Sequence, residues 1–345
     1  MSSRPMSRDR YPERVQRVRD LAAAGDDRRL AEELVDLAGA NDDVWRHDGA
    51  TVRTVVWRLS PARRHALILD AADRAPIHTL VGLLGWLGYG LEADALSWRA
   101  GLILIEAASA RPTGFVDDLA VLAQVAMRET GVVPPGLVAV MRRTQRWLGT
   151  DATSLESWLA SEQCLNAGEV WAEAANAECP DSRLLALALE VSTPQPKIKW
   201  SRRAVALVEE LGVPWCRKLI HRWCALVPAG RTIVLRRVAD EPDVNEALDP
   251  YNAQALRGLL FVLSVLPADE EDVPVAGALG EYAAQKVPGH GPRSQVVAYA
   301  AVHALESFGS VGALRELERL RALGPARGVA GRLDAAIMRR RVALR

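Results

Sequence analysis

The stretch YNAQALRGLLFVLSVL, residues 251–266, places Leu256, Leu259, Leu260 and Leu263 at the three- and four-residue spacing of one helix face. Val296, Val297, Ala300, Ala301, Ala304, Leu305 and Phe308 repeat that spacing over 294–308. Outward from these two segments almost every stretch keeps the helical period, and none alternates apolar and polar residues as a half-buried strand does. Gly and Pro interrupt the chain mostly every 12–25 residues, from Gly25, Gly49 and Pro61 to Pro267, Pro288 and Gly309. That interval is one helix plus a turn. Helix starts are signalled by Asp26-Asp27, by Ser60-Pro61 and by 151–154 ahead of Leu155, which supply N-cap oxygens or a first-turn proline.

Short helices joined by tight turns, without strands, predict an all-α protein. Their length and connectivity favour a HEAT/armadillo-like α-solenoid of antiparallel helix pairs, at roughly 40 residues per pair, over a compact bundle. VSTPQPKIKW (191–200) is the candidate seam, because Pro194 and Pro196 cannot continue a helix. It would part N-terminal helical repeats over 1–191 from C-terminal repeats over 192–345, within one continuous array.

With 345 residues, 49% of them apolar and 25% charged, the composition is that of a globular chain long enough to bury a core. The balance of 43 basic against 43 acidic side chains excludes a chain basic throughout, the simplest nucleic-acid signature. Of the basic residues 39 are Arg and 4 are Lys, a bias read as GC-rich coding rather than chemistry. Four Cys are too few to staple a fold and fit reduced thiols in a cytoplasm. The segment from Met1 to Arg19 is charged and lacks the apolar stretch of a secretory leader. The longest charge-free run, APIHTLVGLLGWLGYGL (75–91), has 17 residues, short of the roughly 20 that a membrane span requires. It reads as a buried packing helix, with Gly82, Gly85 and Gly88 spaced to admit a close neighbour. A cytoplasmic protein with no membrane partner is expected.

No phosphate loop, zinc-protease helix or nucleophile elbow occurs, so no catalytic residue and no cofactor is expected. Cys216, His221 and Cys224 are the one metal-like group, but Cys216 is swung around the helix from the other two, and no Cys-x-x-Cys pair completes a site. They read as buried thiols beside Trp215 and Trp223. Ten Trp against 3 Phe and 5 Tyr suit packing between helical layers, each indole N–H finding a carbonyl. Some HEAT-like proteins are alkylpurine DNA glycosylases that present Trp and a carboxylate in a groove; the nearest pairing here is Trp45 with Asp48, just before the break at Gly49.

Charge is strongly patterned beneath the even total. Net charge is −7 over 151–191, +8 over 197–237, −8 over 240–272 and +6 over 321–345. Neighbouring blocks can neutralise one another through surface ion pairs, each of small worth. Alternatively, Arg202, Arg203, Arg217, Lys218, Arg222, Arg236 and Arg237, interleaved with Trp200, Trp215 and Trp223, form a contact band for an acidic protein or for nucleic acid.

Three blocks of the C-terminal half carry a family likeness. They are PKIKWSRRAVALVEELG (196–212), NAQALRGLLFVLSVLP (252–267) and QKVPGHGPRSQVVAYAAVHAL (285–305). In their order and spacing, with Lys199-Trp200, Asn252, Leu256-Arg257-Gly258-Leu259, Lys286 to Gly289 and Gly291 to Ser294, they resemble the HEAT-like helical region of bacterial MolR-like proteins over about 194–340. The resemblance implies a helical repeat. No Trp-Gly-Arg triplet occurs, so the DNA and poly-ADP-ribose links of the WGR domain are not carried over. The expectation is a non-enzymatic scaffold or adaptor that binds a protein partner through a charged solenoid surface. Nucleic acid is the alternative partner, and any small-molecule ligand is left open.

Overall fold

Ser60, Ser97, Ser294 and Ser310 each stand one residue before a helix and accept a hydrogen bond from the backbone N–H three residues on, at 3.1–3.3 Å. Such caps delimit the elements of the computed structural model, which describes residues 11–40, 49–159, 163–179, 181–237 and 242–344. Among these residues the chain forms seventeen α-helices and one two-residue-per-strand hairpin. It is all-α, and none of the described helices is long and apolar enough to cross a membrane.

The chain divides into two units, one drawn from Met1–Ser161 with Leu235–Asp240, the other from Glu162–Val234 with Glu241–Arg345. The first holds α1 (Tyr11–Ala24), α2 (Asp27–Ala40), α3 (Gly49–Trp57), α4 (Pro61–Arg74), α5 (Ile77–Gly88), α6 (Trp98–Ser109), α7 (Val116–Thr130) and α8 (Pro135–Leu148). Two of the predicted starts are seen: α2 opens at Asp27, with Asp26 accepting from the Arg29 N–H at 3.2 Å, and α4 opens on Pro61 behind Ser60. Residues 151–154 lie inside a 3-10 helix, Gly149–Trp158, rather than ahead of an α-helix. Leu67, Ile68, Leu80, Leu83, Leu84 and Leu87 are fully buried at the centre of this unit.

Helix α5 carries the glycine spacing noted above, and side chains rather than a backbone fill it. The Arg236 guanidinium lies over Gly82, the Arg111 guanidinium over Gly85, and Leu104 over Gly88. Chain segment 235–237 thus belongs to this unit: Leu235 is 3% exposed, and the Arg236 N–H donates to the Ala110 carbonyl at 2.7 Å.

The second unit holds α9 (Val170–Glu178), α10 (Arg183–Leu189), α11 (Ile198–Leu211), α12 (Val213–Leu226), α13 (Asn252–Val265), α14 (Asp272–Ala284), α15 (Gln295–Phe308), α16 (Val311–Ala322) and α17 (Arg327–Ala343). The Pro194–Pro196 stretch is the connection between α10 and α11 inside this unit. A hairpin not expected from the periodicity pairs β1 (Lys286–Val287) with β2 (Gly291–Pro292), Lys286 opposite Pro292. Its turn requires the left-handed backbone of Gly289 (φ 74°), with Gly291 (φ 102°) next to it. Helix α13 is buried over most of its length, and Gly258 lets it approach α10 so closely that a Cβ there would stand 2.1 Å from the Ala188 carbonyl oxygen.

A polar knot ties the loop before α9 to the start of α13. Glu169, 3% exposed, accepts from the Trp171 indole (3.0 Å), the Asn252 amide (2.9 Å) and the Asp249 N–H (2.7 Å). Asp249 in turn accepts from the Asn166 side chain at 3.1 Å. Each of these buried groups has its partner, the condition under which polar burial is tolerated. Burial, and then the neighbouring Asp249, pushes the Glu169 carboxyl above its ordinary value.

Candidate functional site

The seven cations of the predicted band are divided between the two units. Arg236 and Arg237 belong to the first unit, where Arg236 covers Gly82 and Arg237 is exposed. The other five stand on α11 and α12 of the second unit, and three of them have carboxylate partners. Arg203 pairs with Glu190 at 2.6 Å, and Arg222 with Glu178 at 2.9 Å. Arg217 is largely buried: its Nε donates to both oxygens of Asp272 (3.0 and 3.2 Å), and its Nη2 to the Pro267 carbonyl at 2.7 Å. Arg202 and Lys218 are exposed, with no carboxylate in ion-pairing reach among the described residues.

What remains free is a smaller surface than the band. On α11, burial of Trp200, Ala204 and Val208 at four-residue spacing turns Lys199 and Arg202 outward on one stripe. On α12, burial of Cys216, Ile220 and Trp223 leaves Trp215, Lys218 and Arg222 outward on another. Two apolar side chains sit among these cations, Ile198 at 74% exposure and Trp215 at 36%.

The metal-like trio is divided in the same way. The His221 Nε2 is 2.7 Å from Asp272 Oδ1, beside the Arg217 contact. Burial pushes the Cys216 thiol up to about 11 and the Cys224 thiol to about 12, away from reactive thiolates. The indoles behave as packing groups with satisfied N–H donors: Trp200 donates to the Leu187 carbonyl (2.9 Å) and Trp223 to Glu178 (3.3 Å). Trp45 and Asp48 lie outside the described residues.

Two further features escaped the sequence. In the first unit Trp57 stacks on Tyr89 (4.5 Å, 22°), and Tyr89 meets Phe115 edge-on at 5.2 Å. Arg53 lies over the outer ring, 4.8 Å from the Trp57 centroid, and Arg111 lies 5.9 Å from that of Phe115. An apolar cavity of about 40 Å³ opens beside Phe115, between Leu84, Leu104 and Leu122, with room for only a few waters.

The larger feature is a groove of about 390 Å³ in the second unit. Helix α15 presents Tyr299, Val302, His303 and Glu306 to it, and α17 presents Gly328, Gly331, Arg332, Ala335 and Arg339; both sets follow one helix face. Gln195 joins them from the α10–α11 loop. Glu306 accepts two hydrogen bonds from Arg339, which hold its carboxyl below the usual range. Arg332 is held differently, its guanidinium 4.4 Å from the Tyr299 ring centroid. His303 packs edge-on against Phe261 at 5.1 Å, and burial keeps its imidazole below its ordinary value. Gly331 has nothing within 4 Å of where a Cβ would stand. The pairing of small residues with cations on one face, Gly328 and Gly331 with Arg332 and Arg339, is the one signal in the sequence that could have pointed to this groove.

Compared with protein families, with curated proteins and with solved structures, the chain matches none.

Proposed function

We propose that the protein is a helical adaptor, working in the cytoplasm without catalysis of its own, that binds an acidic protein partner on the outward faces of α11 and α12. The observation carrying this reading is the residue of cations left after internal pairing. Lys199, Arg202 and Lys218 are exposed without a carboxylate partner among the described residues, and they flank the exposed Ile198 and Trp215. Cations steer an acidic surface into contact, while an exposed Trp and Ile supply the desolvated anchor that charge alone lacks.

The helical-repeat part of the proposal draws on packing within each unit. Helices touch their neighbour in sequence and the one after it, as in α4–α5 with α4–α6, or α14–α15 with α14–α16. Stacked antiparallel pairs of HEAT type make such contacts. The likeness of 194–340 to the MolR-like helical region points the same way.

The test titrates the full chain with fluorescent poly-glutamate and, separately, with short duplex DNA at low salt. Poly-glutamate should bind, and the triple variant Lys199→Glu, Arg202→Glu, Lys218→Glu should bind about tenfold more weakly, a change of about 1.4 kcal/mol. Unchanged binding by the variant defeats the proposal. Tighter binding to the duplex, falling steeply with salt, would transfer the surface to nucleic acid instead.

A further inference from the structure

We infer that the α15–α17 groove is a binding site for a compact hydroxylated oxyanion, a phosphate or carboxylate borne on a small polyol or hydroxy acid, with Arg332 as the anion contact. Four observations, all within the second unit, lead there. The groove holds two guanidinium groups, and only one is neutralised: Arg339 is forked onto Glu306, whereas Arg332 has no carboxylate within ion-pairing distance among the described residues and rests on the Tyr299 ring. A guanidinium held by an aromatic ring rather than by a carboxylate keeps N–H donors with which to grip a planar or tetrahedral oxyanion.

The volume, about 390 Å³, is at the small end of ligand pockets and equals that of about a dozen waters. That volume suits a molecule of a few carbons. The floor is built for access, because Gly328, Gly331 and Ala335 put no long side chain into the space. The remaining wall is polar and mostly uncharged. His303, kept neutral by burial, offers one ring donor and one acceptor, and the Gln195 amide adds both kinds again. Those groups match hydroxyls, so the ligand's second feature follows from them as its charge follows from Arg332.

The test uses the whole 345-residue chain with glycerol phosphate, malate and, as the neutral control, glycerol. Binding is read from the NMR shift of the His303 ring, assigned with His303→Gln, and from calorimetry. Glycerol phosphate or malate should bind saturably near millimolar, glycerol should not, and the preferred probe distinguishes phosphate from carboxylate. Arg332→Gln should weaken that binding about tenfold or more. Gly331→Leu should do the same by filling the groove; its new side chain enters open space on a helix, so the thermal midpoint should not fall. Saturable binding that neither variant weakens, glycerol binding as well as its phosphate, or no saturable shift from either anion would each overturn the assignment.

Discussion

At the scale of single residues the groove histidine has a measurable consequence. His303 is half-buried against Phe261 and faces Glu306 and Arg332, and desolvation is the largest influence on it. Its folded value lies below the ordinary 6.5, so the unfolded chain binds the proton first. The neutral imidazole therefore costs nothing above 6.5, and stability declines as pH falls from 6.5 towards the folded value. Chemical denaturation between pH 7 and 5 should show this decline, and His303→Gln should flatten it. An identical slope in the variant would assign the loss to other groups. Little of this environment was legible beforehand. A lone His on an Ala- and Val-rich helix reads as ordinary core packing, and of its neighbours Phe261 lies 42 positions earlier and Arg332 29 later. His221 was equally opaque, because Asp272, which orients it, follows 51 positions later.

At the scale of elements the helices themselves were the most legible part. Periodicity and capping depend on residues within one or two turns, and those are adjacent in the chain. Ser60-Pro61 and Asp26-Asp27 accordingly mark observed helix starts. Close approaches between helices were not legible to the same degree. Gly258 appears in the sequence as a single glycine in an apolar run, yet it is where α13 meets the backbone of α10 at Ala188. Gly258→Ala would gain helix propensity of up to about 1 kcal/mol, and overpacking against a backbone that cannot rotate away costs about 1–3 kcal/mol or more. The clash involves the carbonyl oxygen, Cα and carbonyl carbon together, so the second effect should win. A lowered thermal midpoint is expected for Gly258→Ala and a small rise for Gly331→Ala, the matched control in which the same propensity gain meets no clash. A raised midpoint at 258 would mean that α10 yields freely. The α5 glycines show the same logic with different occupants, since guanidinium groups fill the spaces over Gly82 and Gly85.

At the scale of the whole molecule, the alternating charge blocks largely answer one another within the second unit. Glu178 and Glu190 take Arg222 and Arg203, while Asp269 and Asp272 take Arg217. The C-terminal arginines do likewise, Arg339 with Glu306 and Arg341 with Glu318. What is left is a few cations on α11 and α12 and one in the groove, the groups on which both proposals rest, and pairing across long separations kept that remainder hidden in the sequence. The first unit depends on residues far from the rest of it. Leu235→Asp in the full chain should raise amide hydrogen exchange in α5 and α6, which the 235–237 segment touches, while α13 to α17 keep their protection. Equal loosening of both sets would contradict the division into two units.

That borrowed segment also bears on how the protein is made. A ribosome finishes residue 161 and must add about 80 more before the strip carrying Leu235 and Arg236 is available. At about 5–20 residues per second that is a wait of roughly 4–16 s. During it the site that buries Leu235 and the space over Gly82 of α5 stand uncovered on the nascent chain. The first-made half is therefore the one that most needs shielding during synthesis, although it is complete in sequence save for six residues.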